Sequence, residues 1–235
     1  MAIRLFAPSI ICEKHFLTER DSVAGITPEY FEMLKNEMDA MRERDPKGRH
    51  RSNQGYGWQS NDGIDTNPIF SKLIRLIKRT MSHEVMPYLG AYPGTAETIM
   101  HNAWGNINYK MGWNAPHLHN GCFYSGVFYI KADGDEGCLR FIDTHFKVVG
   151  NLPPMPRCRE ADRFFPKTGD LYLFPSGLMH MVEPNTTDKD RYSISFNLET
   201  NDEHSGLRFK TDEQLDEENM DNVFEVDDMG KIIHK

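Results

Sequence analysis

The sequence predicts a mainly β protein, a sandwich or barrel with helices laid on one outer face, and three observations carry that reading. Beyond residue 96, short β-type segments follow one another at close intervals. Turn signals such as Asp133-Gly134-Asp135-Glu136-Gly137 and Lys167-Thr168-Gly169-Asp170 separate them. Ahead of them stand two amphipathic patterns of helical period, each with its own start signal. No internal repeat or low-complexity tract competes with a single-domain reading, and 235 residues lie within the range of one catalytic β domain.

In chain order, Ile3, Leu5, Phe6, Ile10 and Ile11 alternate loosely, which predicts a first strand over residues 3 to 12, interrupted at Pro8. Thr27-Pro28-Glu29 then supplies an N-cap, a proline at the first helical position and an acid in the first turn. Phe31, Leu34, Met38 and Met41 recur every three or four residues and extend that helix to about Arg44. A stripe of this kind reads as core packing.

Residues 45 to 65 are polar and turn-rich, with Arg44, Lys47, Arg49 and Arg51 clustered. They read as a solvated loop, with a basic lip facing an acidic substrate as the other reading. Tyr56 and Trp58 in the glycine-rich run Gln54 to Ser60 either form a lid or pin the loop to the core. A second helix opens at Asn67-Pro68 and runs through Ile69, Phe70, Leu73, Ile74, Ile77 and Met81 until Pro87 stops it.

After the Tyr92-Pro93-Gly94 turn, the candidate strands are Ile99 to Tyr109, Tyr124 to Lys131, Cys138 to Ile142, Asp170 to Phe174 and Tyr192 to Leu198. The domain is expected over residues 1–200, with helical support over about 1–95 and a β core over about 96–200. Residues 201–235 form an acidic extension, with Asp212-Glu213 and Asp216-Glu217-Glu218, expected to be loosely packed against a sheet edge or a partner.

A net charge of −8 and a pI near 5.7 speak against a general nucleic-acid binder, which needs a basic footprint. Cys12, Cys122, Cys138 and Cys158 form no C-x-x-C, so neither a zinc knuckle nor a disulfide framework is expected. With no apolar run long enough to span a bilayer and too short an apolar stretch for a signal peptide in Met1 to Pro8, the expectation is a soluble cytoplasmic protein. Oligomeric state stays open.

Chemistry is carried by Pro116-His117-Leu118-His119-Asn120. Two histidines one residue apart on an extended strand project to the same side and can share one metal ion. His180 follows 61 positions after His119, delivered by the strand-like run Gly169 to Pro175, and Arg191 comes 11 positions later. Imidazoles alone leave iron, zinc, copper and nickel open. On the strand from Arg191, period two sets Arg191, Ser193, Ser195 and Asn197 on one side and Tyr192, Ile194, Phe196 and Leu198 on the other. A polar row of this kind lines a pocket, where the arginine can grip a carboxylate through paired hydrogen bonds while a serine adds another.

These segments resemble the double-stranded β-helix oxygenases that use ferrous iron and 2-oxoglutarate, the prolyl-4-hydroxylase-like branch above all, over about residues 100 to 198. The resemblance implies a jelly-roll core and a metal site on His117, His119 and His180. Here His119 stands where the family has an acidic ligand. It implies further that Arg191 holds the far carboxylate of 2-oxoglutarate. Ser193, Tyr129, Leu139, Ser125 and a residue near Asn106, Asn108 or Tyr109 would complete the co-substrate pocket. O2 would be consumed with release of succinate and CO2, hydroxylating a C–H bond of an undetermined peptide or small molecule.

His119 allows three arrangements. It is a third neutral ligand, the favoured case; or only one of His117 and His119 binds, leaving an opening beside Gly121 for a halide or water; or Asp143 completes the triad. His101, His145 and His204 read as structural or solvent-facing. Two other functions fit the same residues. One is a cupin-like dioxygenase with a three-histidine metal and no 2-oxoglutarate, although Phe123 and Tyr124 stand where that family's motif expects a glutamate. The other is an inactive binding or structural module on the same fold.

Overall fold

The computed structural model describes residues 9–17, 26–89, 96–142 and 161–202, with the backbone of 225–226 and 232–233. The elements are β1 (Cys12–His15), α1 (Pro28–Arg44), β2 (Asn53–Gln54), β3 (Gly57–Gln59), α2 (Ser71–Thr80), β4 (Ala96–Asn108), β5 (Trp113–His117) and β6 (Tyr124–Lys131). Then come β7 (Leu139–Ile142), β8 (Ala161–Phe164), β9 (Asp170–Pro175), β10 (His180–Val182) and β11 (Arg191–Asp202). A separate pair, β12 (Glu225–Val226) and β13 (Ile232–Ile233), closes the chain. Expectations for residues 1–8, Tyr92-Pro93-Gly94, Asp143, His145, Cys158, His204 and the acidic run from Asp212 to Glu218 fall outside the described residues.

Two antiparallel sheets face each other, in the orders β1-β9-β6-β11-β4-β3 and β2-β5-β10-β7-β8. This is the double-stranded β-helix that the sequence led us to expect. Its longest seam joins β11 to β4, from Arg191 opposite Asn108 to Asp202 opposite Ala96. The period-two division of β11 holds in space. Tyr192, Ile194, Phe196 and Leu198 are buried beneath the helices, in one cluster with Phe31, Leu34, Met38, Leu73 and Ile77. The opposite face turns towards the second sheet, where Val127, Tyr129, Leu139, Phe141, Tyr172 and Phe174 form a smaller core. At about 1.5–3 kcal/mol per large apolar side chain, the helix-to-sheet layer dominates the stabilisation.

The first helix starts as its sequence dictates. Thr27 is extended, and its hydroxyl accepts the Tyr30 N–H at 3.3 Å, while Pro28 occupies the first turn. Its Phe31 ring stacks on Phe128 of β6, with centroids 5.7 Å apart. The second helical segment is less regular than expected. Asn67 caps a short 3-10 turn over Pro68–Phe70, α2 follows, and a wider π turn over Met81–Val85 precedes Pro87.

Other departures have local causes. In the described part of the expected first strand, residues 9–12, pairing begins only at Cys12, because its partner is β9, where Cys12 pairs with Leu173 and His15 with Asp170. Trp58 is no lid residue. It is buried, and its indole N–H donates to the Asp45 carbonyl at 2.8 Å, pinning the loop to the core while Tyr56 stays exposed. Cys12, Cys122 and Cys138 carry free thiols. Among the described residues, no helix is long and apolar enough to cross a membrane.

Candidate metal and oxo-acid site

The two sheets enclose a cleft of about 480 Å³ including its mouth, with the three histidines in its lining. On β5 and β10, His117 and His180 are direct antiparallel partners, which brings their ring centroids to 4.2 Å. His119 was expected on the same strand as His117, but β5 ends at His117. From His180 to Val182, the paired stretch of β5 runs from His117 back to Asn114, so β5 carries one extra residue there. Pro116, which has no N–H to give the ladder, sits in that bulge. His119 follows on irregular chain, its backbone N–H donating to the Ser176 carbonyl at 2.9 Å, and its ring still reaches the other two at 5.2 Å. One ligating nitrogen from each of the three lies within 4.8 Å of the others.

The rings are prepared to be neutral donors. Burial lowers the pKa of His117, takes His119 to about 4 with help from His117, and takes His180 to about 3. In His117, Nδ1 contacts the Ala115 carbonyl at 2.7 Å, and in His180 it contacts Leu178 at 2.9 Å. Each Nδ1 therefore carries the proton, leaving Nε2 with its lone pair for a metal.

At the other end of the polar row stands Arg191, 1% exposed, the largest fully buried side chain. Its Nη1 donates to the Glu136 and Gly137 carbonyls at 2.5 and 3.0 Å, and its Nη2 is buried without a partner. The Tyr129 hydroxyl is likewise buried and unpartnered, its pKa raised to about 12 by burial although Arg191 opposes the rise. No carboxylate appears in the cleft lining, and Arg191 has no ion-pair partner among the described residues. The carbonyls that hold Arg191 are set by Gly137, at φ 90°, where an added Cβ would lie 2.3 Å from the Glu183 carbonyl oxygen. Glu136 itself turns away, accepting the N–H groups of Asp133 and Gly134. The nearby Asp133 and Asp135 are answered by Lys189.

Of the expected pocket residues, Arg191, Ser193, Tyr129, Leu139 and Asn108 line the cleft with the three histidines. Ser125 does not. It is fully buried behind the lining, donating to Asn197 at 2.8 Å and paired with Ser176 at 2.7 Å. His101 is exposed and meets Glu199. Sequence reasoning missed Trp104, Gln59, Ser52 and Asn114, which also line the cleft. A period-two row was there to be found on β4, where Asn102, Trp104, Asn106 and Asn108 alternate with Ala103, Gly105 and Ile107. Gln59 donates to Asn106 at 2.9 Å and Asn106 to Ser195 at 3.1 Å, while the Gln59 side-chain oxygen Oε1 has no partner.

Residues 102–197 match the family model described as "Putative 2OG-Fe(II) oxygenase". No curated protein matches the chain in sequence. Among solved structures, HygX from Streptomyces hygroscopicus, with nickel, 2-oxoglutarate and hygromycin B bound, is 12% identical with a TM-score of 0.53, over 81% of this chain and 83% of that one. A prolyl-4-hydroxylase from Pseudomonas putida is 14% identical with a TM-score of 0.51, over 80% of this chain and 91% of that one. The matched segment carries all three clustered histidines and Arg191, and the chain shares its fold with these two structures.

Proposed function

We propose that the cleft binds ferrous iron on His117, His119 and His180 and 2-oxoglutarate on Arg191, and that the protein hydroxylates a C–H bond of a peptidyl or small-molecule substrate. The observation that carries this reading is the Arg191 guanidinium. It is buried, without an ion-pair partner among the described residues, and left with a free Nη2 beside the free Tyr129 hydroxyl, in the same cleft as three neutral imidazoles. A buried cation without a counter-charge is costly, and an incoming carboxylate offsets that cost while supplying acceptors to both orphaned donors. A three-histidine site working without an oxo acid would leave this group without a purpose.

The chain's own part is geometric. His117 and His180 present Nε2 from paired strands, so two donors are fixed before any metal arrives. Arg191 and Tyr129 fix the far end of the acid, and Ser193 stands two residues along β11 from Arg191, opposite Tyr129. Leu139, Val127 and Phe174 wall off water, which strengthens the charged contacts. Iron and 2-oxoglutarate, once bound, supply the oxidation, in which O2 gives one atom to succinate as CO2 leaves and the other to the substrate hydroxyl.

The test is calorimetry of 2-oxoglutarate binding to anaerobic Fe(II)-loaded protein, followed by succinate analysis on admitting O2. The wild type should bind, and Arg191→Met should lose about a hundredfold in affinity with its charge-assisted hydrogen bonds gone. A metal-loaded wild type that shows no heat with 2-oxoglutarate ends this reading.

A further inference from the structure

The three histidines are not held alike. For His117 and His180, a carbonyl two residues earlier anchors Nδ1, which fixes both tautomer and ring plane. The His119 ring has no hydrogen bond among the described residues. Only its backbone is tied, through Ser176, and it has already left the strand. Metal-bound histidines ordinarily need such an outer partner to set ring orientation. Something else must do it here.

We propose that Trp104, backed by the Arg49–Asp62 pair, is the positioning residue for the His119 ring. Trp104 sits on β4 opposite Ser195, a rigid place in the longest seam of the fold. Its ring stacks on His119, with centroids 5.8 Å apart and planes inclined by 26°. Behind it, the Arg49 guanidinium lies 5.3 Å from the Trp104 ring centroid. That guanidinium is gripped as a fork by Asp62, at 2.9 and 2.7 Å, and the Arg49 backbone N–H donates to the Gln59 carbonyl at 2.9 Å. His119 also meets the nearly parallel ring of His180, with planes 5° apart and centroids at 5.2 Å. A ring stacked on two flat neighbours can slide, but it cannot turn out of plane without losing both contacts. The order Asp62, Arg49, Trp104, His119 therefore replaces by stacking the orientation that the other two ligands obtain by hydrogen bonding. It also gives one arginine of the basic loop an inward role, since both its terminal nitrogens are committed to Asp62.

The inference rests on the three-histidine reading of the site but not on 2-oxoglutarate. Its test is Ni(II) titration by calorimetry of the full-length, metal-free protein, with the visible spectrum of the Co(II) form as a second readout and the melting temperature as a control for folding. Trp104→Leu should bind Ni(II) about tenfold more weakly and alter the Co(II) bands, whereas Trp104→Phe, which keeps a flat ring, should stay within about threefold of wild type. Arg49→Met should fall between them. In a His119→Asp background, where no imidazole remains to be stacked, Trp104→Leu should cost nothing further. Wild-type affinity and spectrum in Trp104→Leu overturn the proposal, and so does an equal loss in the His119→Asp background. If Trp104→Leu does not fold, Arg49→Met decides, and an unchanged affinity and spectrum there overturn it. A wild type that takes Ni(II) but not 2-oxoglutarate removes the oxygenase reading alone, and one that takes no Ni(II) removes both.

Discussion

At the scale of single residues, the cleft is organised around donors that the folded chain does not use. Tyr129 makes the point most simply, because its hydroxyl is fully buried, has no partner, and lies on β6 across from Ser193 in the row that ends at Arg191. An unmade hydrogen bond of this kind costs the free protein about 1–3 kcal/mol. Tyr129→Phe should therefore leave the melting temperature of the metal-free protein unchanged or raise it. The same variant should weaken 2-oxoglutarate binding about tenfold, the loss of one bond to a charged acceptor. Thermal melts and calorimetry on one preparation check both signs, and a variant that is destabilised yet binds normally would mark Tyr129 as ordinary core. Gln59 is the comparable case at the β3 edge, with one unpartnered oxygen facing the same cleft.

At the scale of elements, the site depends on short irregular pieces that tie the two sheets together. The turn ending at Gly137 is one, since its carbonyls receive Arg191 and its position lies against the Glu183 carbonyl. Gly137→Ala would force a left-handed φ on a side chain whose Cβ has no room, so the turn must shift. The expected result is a loss of about 1–3 kcal/mol in urea unfolding, together with weaker 2-oxoglutarate binding. Unfolding that matches wild type would show that the turn yields freely. These same pieces mark where sequence reasoning stopped. The Thr27-Pro28 start and the polar and apolar rows of β11 were legible because capping and period-two alternation are local properties. His117, His180 and Arg191 were legible as chemistry-bearing residues on such segments. The two- and three-residue strands β2, β3 and β10 were not, for pairing with a distant neighbour defines them. Pro116 concealed the end of β5, and the Ser176 turn that covers Ser125 is set by a contact with a residue 51 positions away.

At the scale of the whole molecule, an acidic chain folds around a cleft whose lining holds no carboxylate, so metal-free protein must keep three imidazoles uncharged together. The unfolded chain faces no such constraint, and its histidines take up protons near the ordinary value of 6.5. In the folded state burial lowers all three, and repulsion from the neighbouring imidazoles adds to it at His119, taken to about 4, and at His180, taken to about 3. Between those values, the unfolded state binds more protons than the folded one, so stability must fall as pH falls. The contribution is fully present above pH 6.5, is lost progressively below it, and levels off only near pH 3 to 4. Melting temperatures measured in chelator between pH 7.5 and 5 should thus hold level to about pH 6.5 and decline below it, and His180→Gln should flatten the decline. Added Ni(II) should raise the midpoint at pH 7.5, with a gain in stability of about 2.7 kcal/mol at a hundred times its dissociation constant, because it binds the folded state alone. That gain should shrink towards pH 5 as protons compete for the same nitrogens. A metal-free midpoint that stays level across this range, with His180→Gln indistinguishable from wild type, would mean that the imidazoles are not confined as neutral groups, and the prepared metal site would go with them.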